Sequence, residues 1–417
     1  MKKLLILGGT FNDVLVVKKA KSMGIFTIVT DRHIDLDRSP AKRIADEYWN
    51  IDWSDIPALE EKCRQEQIDG VFAGFDELRL DNLVVLCKHL NLPCYINKKQ
   101  LDITRDKLRF KQYCREMQIP TVRQYEINDI DLTFPVVIKP VDRAGSLGIN
   151  VAYNKEQYDR FLEEAMSLSL SKNVIVEDYI DDGIKFDCYY VINNSVVDLV
   201  MTSDTLMHSN STKGHETIQK AWMMPSLFED DFLKRYDEKF KNMIHHLGFV
   251  NGHANISCFY KDGICYVFEA GFRLTGELSF DYQYVNSESS HLVSMINYSL
   301  GLPVKGYKKP LKQKKAITYN LYATTSYVEK VKSIEGLDSL KNDDSIITAV
   351  PKLNIGTEIH PGFPTKFAMI TVVADKYEEV RRKLNLINKA VFIKTESNVY
   401  YSDSDISNEE LKMYWKE

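Results

Sequence analysis

The sequence predicts a multidomain protein in which an open parallel α/β sheet is followed by an α+β region. Its 417 residues exceed the size at which a single hydrophobic core stops growing. Near the N-terminus, an apolar run at residues 2–7, a glycine turn and a helical pattern at 13–23 lead into the β-rich segment 26–30. This is the order of a βαβ unit. After Thr104 strands and helices follow in the mixed order of α+β proteins. We therefore expect several lobes with a site between them.

The chain divides into three predicted domains. An N-terminal α/β domain covers residues 1–104, a central domain covers residues 105–306, and a C-terminal β-rich domain covers residues 307–417. Within the central domain we expect a small lobe at about 130–190 and a large lobe at about 191–306. The last boundary falls at a lysine-rich join near residue 308, after which β-like segments resume.

The composition is typical of a soluble globular protein. Apolar residues make up 44% and charged residues 27% of the chain. The net charge of −5 gives no general attraction to nucleic acid or to anionic membranes, and no apolar run approaches the roughly 18 residues of a membrane helix. Seven cysteines without C-x-x-C spacing indicate neither a disulfide nor a zinc framework. We expect a cytoplasmic protein with no nucleic-acid or membrane partner.

One stretch of the central domain carries a pattern for phosphate binding. The chain contains neither a G-x-x-x-x-G-K-[ST] loop nor a G-x-G-x-x-G turn after its first strand, so the two common phosphate motifs are excluded. Instead, an apolar strand at residues 134–138 ends in Lys139, and the small-residue loop 144–148 follows. A buried ammonium requires an anion, and the backbone N–H groups of such a loop can approach a triphosphate.

The stretch from Thr104 to Glu277 resembles the ATP-grasp superfamily, whose members include biotin carboxylase, carbamoyl phosphate synthetase and the L-amino acid ligases. The Asp106-Lys107 step and the strand lysine Lys139 match the phosphate-binding positions of that family. The resemblance implies an ATP-grasp fold, in which the first domain is the pre-ATP-grasp domain, the second binds the nucleotide, and the third completes the substrate cavity.

The same resemblance assigns a set of residues to ATP. These residues are Lys107, Lys139, Gly145, Ser146, Glu177, Tyr179, Ile180, Asp187 and His215. In the family the glutamate takes the exocyclic amine of adenine, the backbone after it reads the ring edge, and an acid further on holds the ribose. A histidine on a mobile loop approaches the phosphates, although His215 also fits an ordinary histidine of a surface loop.

A β-hairpin near the end of the central domain resembles the family's closing Glu-x-Asn-x-Arg motif. Glu269 and Arg273 match it, while Gly271 stands where the family has a metal-binding asparagine. A three-residue loop at 261–263 would place Asn255 opposite Glu269. We therefore predict Glu269 as the principal Mg²⁺ ligand with Asn255 beside it. Mg²⁺ needs few protein ligands because it keeps waters and phosphate oxygens, and Mn²⁺ is an alternative metal.

Four residues are predicted to face the substrates. The planar guanidinium of Arg273 suits a carboxylate or the transferred phosphoryl group, which assigns it a catalytic role, and Glu277 is a second acid close by. Asp76 and Glu77 follow the predicted strand 70–73, and open α/β sheets bind ligands at the carboxyl ends of their strands. As an alternative, both acids cap the helix that follows them.

The residues and the resemblance together predict an ATP-dependent carboxylate–amine ligase. It would form an amide or peptide bond through an acyl phosphate, with amino acids or related small metabolites as substrates and ATP and Mg²⁺ as cofactors. The alternatives are an enzyme that activates bicarbonate or formate, and a degenerate nucleotide-binding protein without catalysis. A homodimer is common in the family. A Rossmann oxidoreductase would rest on Gly8-Gly9 alone, because the dinucleotide fingerprint is absent.

Overall fold

The computed structural model describes most of the chain. The described ranges are residues 1–127, 131–143, 147–181, 183–207, 218–278, 280, 282, 290–307, 313–362 and 364–415. Three residues that the resemblance assigns to ATP, Gly145, Ser146 and His215, lie outside these ranges. Within the described ranges, none of the helices combines the length and the apolar character that crossing a membrane requires.

The N-terminal domain, all of which is described, contains a parallel sheet flanked by helices. Its elements are β1 (Lys3–Leu7), α1 (Phe11–Ser22), β2 (Phe26–Thr30), a 3-10 helix (Pro40–Arg43), β3 (Glu47–Trp49), α2 (Ile56–Glu66), β4 (Gly70–Phe72), α3 (Glu77–Leu90) and α4 (Lys98–Arg105). The strand order is β3-β2-β1-β4. The last four residues of the central strand β1 are fully buried. Burial on both faces explains the continuous apolar run in the sequence.

A small antiparallel sheet forms the first lobe of the central domain. Its elements are α5 (Lys107–Glu116), β5 (Gln124–Tyr125), β6 (Val136–Pro140), β7 (Asn150–Ala152), α6 (Lys155–Leu168) and β8 (Val174–Asp178). The described strands lie in the order β5-β8-β6-β7. In the β6–β8 register Val137 pairs with Glu177 and Lys139 pairs with Ile175. Lys139 and Glu177 are therefore diagonal neighbours on one face of this sheet.

A large antiparallel sheet connects the second lobe with the C-terminal part of the chain. The elements from its start to its end are β9 (Ile184–Asn193), β10 (Val196–Met207), β11 (Gln219–Met224), α7 (Glu229–Arg235), α8 (Asp237–His246), β12 (Gly252–Lys261), β13 (Ile264–Gly271), α9 (His291–Ser299), β14 (Ala316–Ala323), β15 (Glu329–Glu335), a 3-10 helix (Leu337–Leu340), β16 (Ile346–Pro351), β17 (Glu358–Ile359) and β18 (Thr365–Val373). The described strands of the large sheet lie in the order β13-β12-β9-β10-β11-β14-β18-β16.

The chain ends with α10 (Tyr377–Ala390), β19 (Phe392–Thr395), β20 (Val399–Tyr401) and α11 (Asn408–Tyr414). Strands β17, β15, β19 and β20 form a separate small sheet in that order. In the large sheet β11 pairs directly with β14, so the sheet is continuous across the predicted boundary at 306–307. The two boundaries between the three domains stay a prediction, and β14, β16 and β18 of the C-terminal segment extend the sheet of the central domain.

Candidate active site

A cavity of about 760 Å³ lies where the N-terminal domain, the small lobe, the β12–β13 hairpin and the C-terminal segment meet. Its wall includes the predicted site residues Asp76, Glu77, Lys107, Glu269 and Arg273. These residues come from sequence segments separated by up to nearly two hundred positions, and the fold brings them to one surface. Clefts between domains are a common location of small-molecule sites.

The helix α5 presents Lys107 at the small-lobe side of this cavity. The Asp106 carboxylate caps the helix by accepting hydrogen bonds from the backbone N–H groups of Leu108, at 2.9 Å, and Arg109, at 3.1 Å. Lys107 is the first helical residue, and its Nζ donates to the Arg143 carbonyl oxygen at 2.7 Å. Arg143 is the last described residue before the loop that the sequence assigns to phosphate. The ammonium of Lys107 therefore lies at the base of that loop.

In the small lobe the buried carboxylate of Glu177 lies between the ammonium groups of Lys111 and Lys139. Glu177 Oε2 is 2.8 Å from Lys139 Nζ, and its Oε1 contacts Lys111 Nζ. The three side chains are only 3%, 8% and 0% exposed for Glu177, Lys139 and Lys111. When both lysines are protonated, two cations share one anion, and this group carries one positive charge that no described acid in direct contact balances.

Burial and neighbouring charge act on both lysines. The pKa of Lys139 is lowered to about 8, mainly by burial and also by the nearby charge of Lys107, while Glu269 opposes the shift. Burial also holds the pKa of Lys111 well below its usual range, and Lys139 adds to that effect. An anionic ligand close to Lys139 would reverse these effects, because an opposite charge favours the protonated amine.

Lys111 was not among the residues predicted from the sequence. It lies one helical turn after Lys107, on the α5 face that buries Phe110 and Cys114. A lysine within an otherwise apolar helix face requires a buried carboxylate partner, and this pattern is visible in the sequence. The resemblance drew attention to the Asp106-Lys107 step instead.

The segment after Glu177 is held against the small lobe. The backbone N–H of Tyr179 donates to the Pro135 carbonyl oxygen at 3.1 Å, and that of Asp178 donates to the Arg123 carbonyl oxygen at 3.0 Å. Tyr179 and Ile180 are half-buried. Neither belongs to the wall of the large cavity. Their assignment to adenine stays a prediction.

The predicted pairing of Asn255 with Glu269 is wrong. Asn255 pairs with Gly271, and Ser257 pairs with Glu269. The turn has two residues, Asp262 and Gly263, and both have positive φ, as in the tight Asp-Gly hairpin turns that match the strand twist. A β-bulge between Ser257 and Cys258 then shifts the register by one further residue.

The bulge places Glu269 on the cavity side of the hairpin. Its side chain is exposed, and it lines both the large cavity and a second cavity of about 190 Å³. Asn255, Ser257 and Gly271 line the second cavity as well. Asn255 is therefore close to Glu269 despite the different register. Its side-chain Nδ2 is buried and has no hydrogen-bond partner.

Arg273 and Glu77 mark the junction of the two cavities, since both residues line both of them together with Glu269. Arg273 Nη2 is 3.6 Å from Glu77 Oε1, and the two side chains are 23% and 22% exposed. Burial raises the pKa of the Glu77 carboxyl, Arg273 opposes the shift, and Glu269 adds to it. The guanidinium is thus paired with Glu77, at a point that a ligand in either cavity can reach.

Asp76 caps the helix that follows it, which is the alternative interpretation of this residue from the sequence. Its carboxylate accepts the backbone N–H of Leu78 at 2.9 Å, which makes it the N-cap of α3. Glu77, the next residue, instead faces Arg273. Of the two acids, the structure therefore gives the helix-capping interaction to Asp76 and the contact with the site to Glu77.

Asp187 and Glu277 lie in the second cavity. Asp187 is buried, accepts a hydrogen bond from the Ser257 hydroxyl and lies 3.9 Å from Lys185 Nζ. Glu277 accepts the Tyr189 hydroxyl at 2.7 Å. Asp187 is not on the wall of the large cavity, so its assignment to the ribose of ATP stays a prediction.

The donor set fits a metal ion that is held mainly by a nucleotide. Within the described ranges, no three His, Cys, Asp or Glu side chains are grouped to hold a metal ion by themselves. Glu269 nevertheless offers an accessible carboxylate, and Asn255 has a side-chain amide in the adjoining cavity. Mg²⁺ is commonly bound through one or two carboxylates plus phosphate oxygens. The residues suit that mode of binding.

The fold is similar to that of solved ATP-grasp enzymes. A family model described as "D-ala D-ala ligase C-terminus" matches residues 111–217. The chain is 27% identical over 261 residues to formate-dependent phosphoribosylglycinamide formyltransferase from Sulfurisphaera tokodaii. That match covers 59% of this chain and 64% of the relative, so it spans less than two thirds of the relative's length.

Two solved structures share the fold over nearly the whole chain. The L-amino acid ligase from Bacillus licheniformis has a TM-score of 0.76 at 17% identity, covering 95% of this chain and 99% of that one. The biotin carboxylase domain of Hydrogenobacter thermophilus 2-oxoglutarate carboxylase, in complex with MgADP, ADP and bicarbonate, has a TM-score of 0.79 at 15% identity, covering 94% and 91%. The chain has the ATP-grasp fold, and the fold class predicted from the sequence is confirmed.

Proposed function

We propose that the chain is an ATP-dependent ligase that activates a carboxylate by phosphorylation and joins it to an amine. The observation that carries the proposal is that Lys107, Glu269 and Arg273 share the wall of the large cavity. Lys139 lies close enough for the charges of Lys107 and Glu269 to act on its pKa. Cations for a triphosphate, a carboxylate for its metal and a guanidinium for the transferred group are the parts that phosphoryl transfer requires.

In this proposal the triphosphate lies between Lys107, Lys139 and Glu269. The net positive charge of the Lys111–Glu177–Lys139 group attracts it, and the bound phosphate keeps Lys139 protonated. Glu269, with Asn255 nearby, would hold Mg²⁺, which neutralises charge on the phosphate oxygens when bound. Both oxygens of the Glu177 carboxylate contact lysines, and its hydrogen bond to the exocyclic amine of adenine stays a prediction.

In the proposed reaction Arg273 neutralises charge on the transferred phosphoryl group. It orients the substrate carboxylate, one oxygen of which attacks the γ-phosphorus while the bond from that phosphorus to the β-γ bridging oxygen breaks. ADP leaves, and an acyl phosphate remains. The amine then attacks the acyl carbon, the C–O bond to phosphate breaks, and the amine gives up a proton. Glu277, a substrate-side carboxylate in the second cavity, is a candidate to accept it.

A second candidate function is the activation of formate or bicarbonate. It is favoured by the relative from Sulfurisphaera tokodaii, which is described as formate-dependent. The two candidates share the acyl phosphate step and differ in the size of the carboxylate. Small-molecule substrates, a cytoplasmic location and a homodimer stay predictions, and light scattering would test the last of these.

The test is a screen for ADP release with ATP and Mg²⁺. Mixed amino acids, formate and bicarbonate are offered as carboxylates, each with a pool of small amines, and mass spectrometry identifies the product. We expect ADP release that depends on one carboxylate class and is lost in Arg273→Ala. Nucleotide binding without ADP release in every pool would favour the non-catalytic alternative, and no nucleotide binding at all would overturn the proposal.

A further inference from the structure

One pair of cysteines in the N-terminal domain has no role in the proposed reaction. Cys87 lies in the last turn of α3, and Cys94 lies in the connection from α3 to α4. Both are free thiols, and all seven cysteines of the chain fall within the described residues. Of the seven, Cys94 alone is exposed, whereas Cys87 is buried. An oxidant in solution therefore meets Cys94 first.

The two thiols contact each other. The side chains of Cys87 and Cys94 are hydrogen-bonded. The Cys94 sulfur also contacts the Ile96 carbonyl oxygen at 3.0 Å. Two sulfur atoms in hydrogen-bond contact need only a small movement to reach the disulfide bond length of about 2 Å.

Backbone contacts hold both cysteines in place. The Leu92 N–H donates to the Cys87 carbonyl oxygen at 2.9 Å at the end of α3. Directly after Cys94, the buried Tyr95 donates its hydroxyl to the Ala73 carbonyl oxygen at 3.0 Å. The short loop between the two cysteines is thus fixed at both ends. The thiols stay beside each other, which favours reaction within the pair over reaction with another molecule.

The contact also makes the two thiols differ in acidity. The hydrogen bond with Cys87 lowers the pKa of the Cys94 thiol, and loss of hydration opposes the shift. The same hydrogen bond raises the pKa of the Cys87 thiol, and burial adds to that effect. The thiolate is the nucleophile in thiol oxidation. The exposed sulfur is therefore also the one that reacts more readily.

We propose that Cys94 and Cys87 form a reversible disulfide, with a peroxide as the oxidant, Cys94 as the reacting thiol and Cys87 as the resolving thiol. The Cys94 thiolate attacks one oxygen of hydrogen peroxide, the O–O bond breaks, and the leaving hydroxide takes up a proton to give water. Cys87 then loses its proton and attacks the sulfenic sulfur, the S–O bond breaks, and a second water leaves. The two thiols give up two electrons, and a dithiol restores them by exchange.

The pair lies at the opposite end of α3 from the candidate active site. This helix begins at Glu77, which faces Arg273. Tyr95, next to Cys94, holds the backbone at Ala73, a short distance before Glu77 in the chain. A disulfide at Cys94 would restrain the chain beside this contact. Disulfides in cytosolic proteins are usually transient or redox-sensing, and formation of this bond does not depend on the ligase function.

The experiment treats the whole folded chain with hydrogen peroxide in the absence of denaturant. The remaining thiols are then alkylated, and the protein is digested with trypsin. Lys88 lies between the two cysteines, so trypsin separates them, and a disulfide appears as two joined peptides in mass spectrometry. We expect a Cys87–Cys94 link, the loss of two hydrogen atoms from the intact mass, and recovery of both thiols with dithiothreitol.

Two variants separate the roles of the thiols. Cys94→Ser should lose the link and resist peroxide, because the other cysteines are buried. Cys87→Ser should still be oxidised at Cys94, but its sulfenic acid should persist and be trapped by dimedone. The matched control is Cys63→Ala, which removes another buried cysteine near Cys87 and should form the link as the wild type does. Circular dichroism before oxidation shows that each variant is folded.

Three results would overturn the inference. One is a wild-type Cys94 that stays reduced, or is oxidised, without a link to Cys87. Another is a link that forms only after denaturant is added, because it would belong to the unfolded chain. The third is loss of the link in a folded Cys63→Ala protein, which would assign the resolving thiol to Cys63. None of these results affects the proposed ligase function, whose own test is ADP release.

Discussion

The site contains two groups of charges that differ in their access to water. The Lys111–Glu177–Lys139 group is almost fully buried, and its members contact one another directly. The Arg273, Glu77 and Glu269 group lies at the junction of two cavities, where the side chains are partly exposed and the Arg273–Glu77 distance is 3.6 Å. The first group is organised before any ligand arrives. The second is loosely paired, so its partners can be exchanged for substrate.

From this comparison we expect that removing a buried charge affects folding and nucleotide affinity, whereas removing a charge at the junction affects turnover.

The largest effect is expected at the junction. Arg273→Ala should lower kcat by about 10³-fold or more, because a guanidinium that neutralises the transferred phosphoryl group contributes on that scale. The affinity for an ATP analogue should change little. Steady-state ADP release and calorimetry would measure the two quantities. A loss of nucleotide affinity that matches the loss of turnover would contradict the distinction between the two groups.

In the buried group, the identity of the removed charge should decide the result. Glu177→Gln leaves two buried ammonium groups without an anion and should reduce the free energy of unfolding by about 3 to 5 kcal/mol. Lys111→Met leaves the Lys139–Glu177 pair intact and should cost much less. Denaturant unfolding of the two variants tests this asymmetry. Equal losses would mean that the three charges do not act as described.

The pH dependence should also separate the groups. The pKa of Lys139 is lowered to about 8 by burial, so nucleotide affinity should weaken roughly tenfold between pH 7 and pH 9 as the ammonium loses its proton.

The stability of the protein without nucleotide should change with pH in the opposite direction. Because the folded protein without nucleotide disfavours protonated Lys139, the free energy of unfolding is highest above the usual lysine pKa. It decreases as the pH falls to about 8, where Lys139 becomes protonated in the folded state. Lys139→Arg should give a flat affinity profile over this range, because arginine stays charged. An unchanged slope in that variant would assign the titration to another group.

The smallest effect is expected from Asp76, beside the junction. Asp76→Ala removes the cap of α3 and should cost about 1 kcal/mol of stability while kcat stays unchanged. Glu77→Gln, one residue along, should alter turnover because Glu77 faces Arg273. Thermal unfolding and ADP release of both variants check this. A drop in kcat for Asp76→Ala in a stable protein would return Asp76 to the substrate side.

Much of the fold was predictable because its elements follow from local sequence patterns. The apolar run of β1 and the glycine turn after it gave the parallel sheet, and the Asp106-Lys107 step gave the start of α5. The register of the β12–β13 hairpin was not predictable from the same rules. One residue of difference in the turn and one bulge after Ser257 changed the pairing partner of Asn255 from Glu269 to Gly271. Each change in turn length or each bulge shifts the register of all residues beyond it. The presence of the strand itself does not depend on these details.

The site was predictable where a residue type has few structural uses. Lys139 at the end of a buried strand required an anion, and Glu177 provides it. The partnership of Gly8 with Arg79 joins residues about seventy positions apart, and the contact of Lys352 with Asn12 joins residues 340 positions apart. Contacts at such sequence separation leave no local pattern, so they appear only in the folded chain.

The pairing of β11 with β14 has a practical consequence for anyone who divides this protein. A fragment that stops at residue 306 would lack β14, and the backbone N–H and C=O groups of β11 between Ala221 and Met224 would lose their partners. Open edges of this kind recruit other strands and lead to aggregation. The part of the chain up to residue 306 and the C-terminal segment must therefore be expressed and exchanged together.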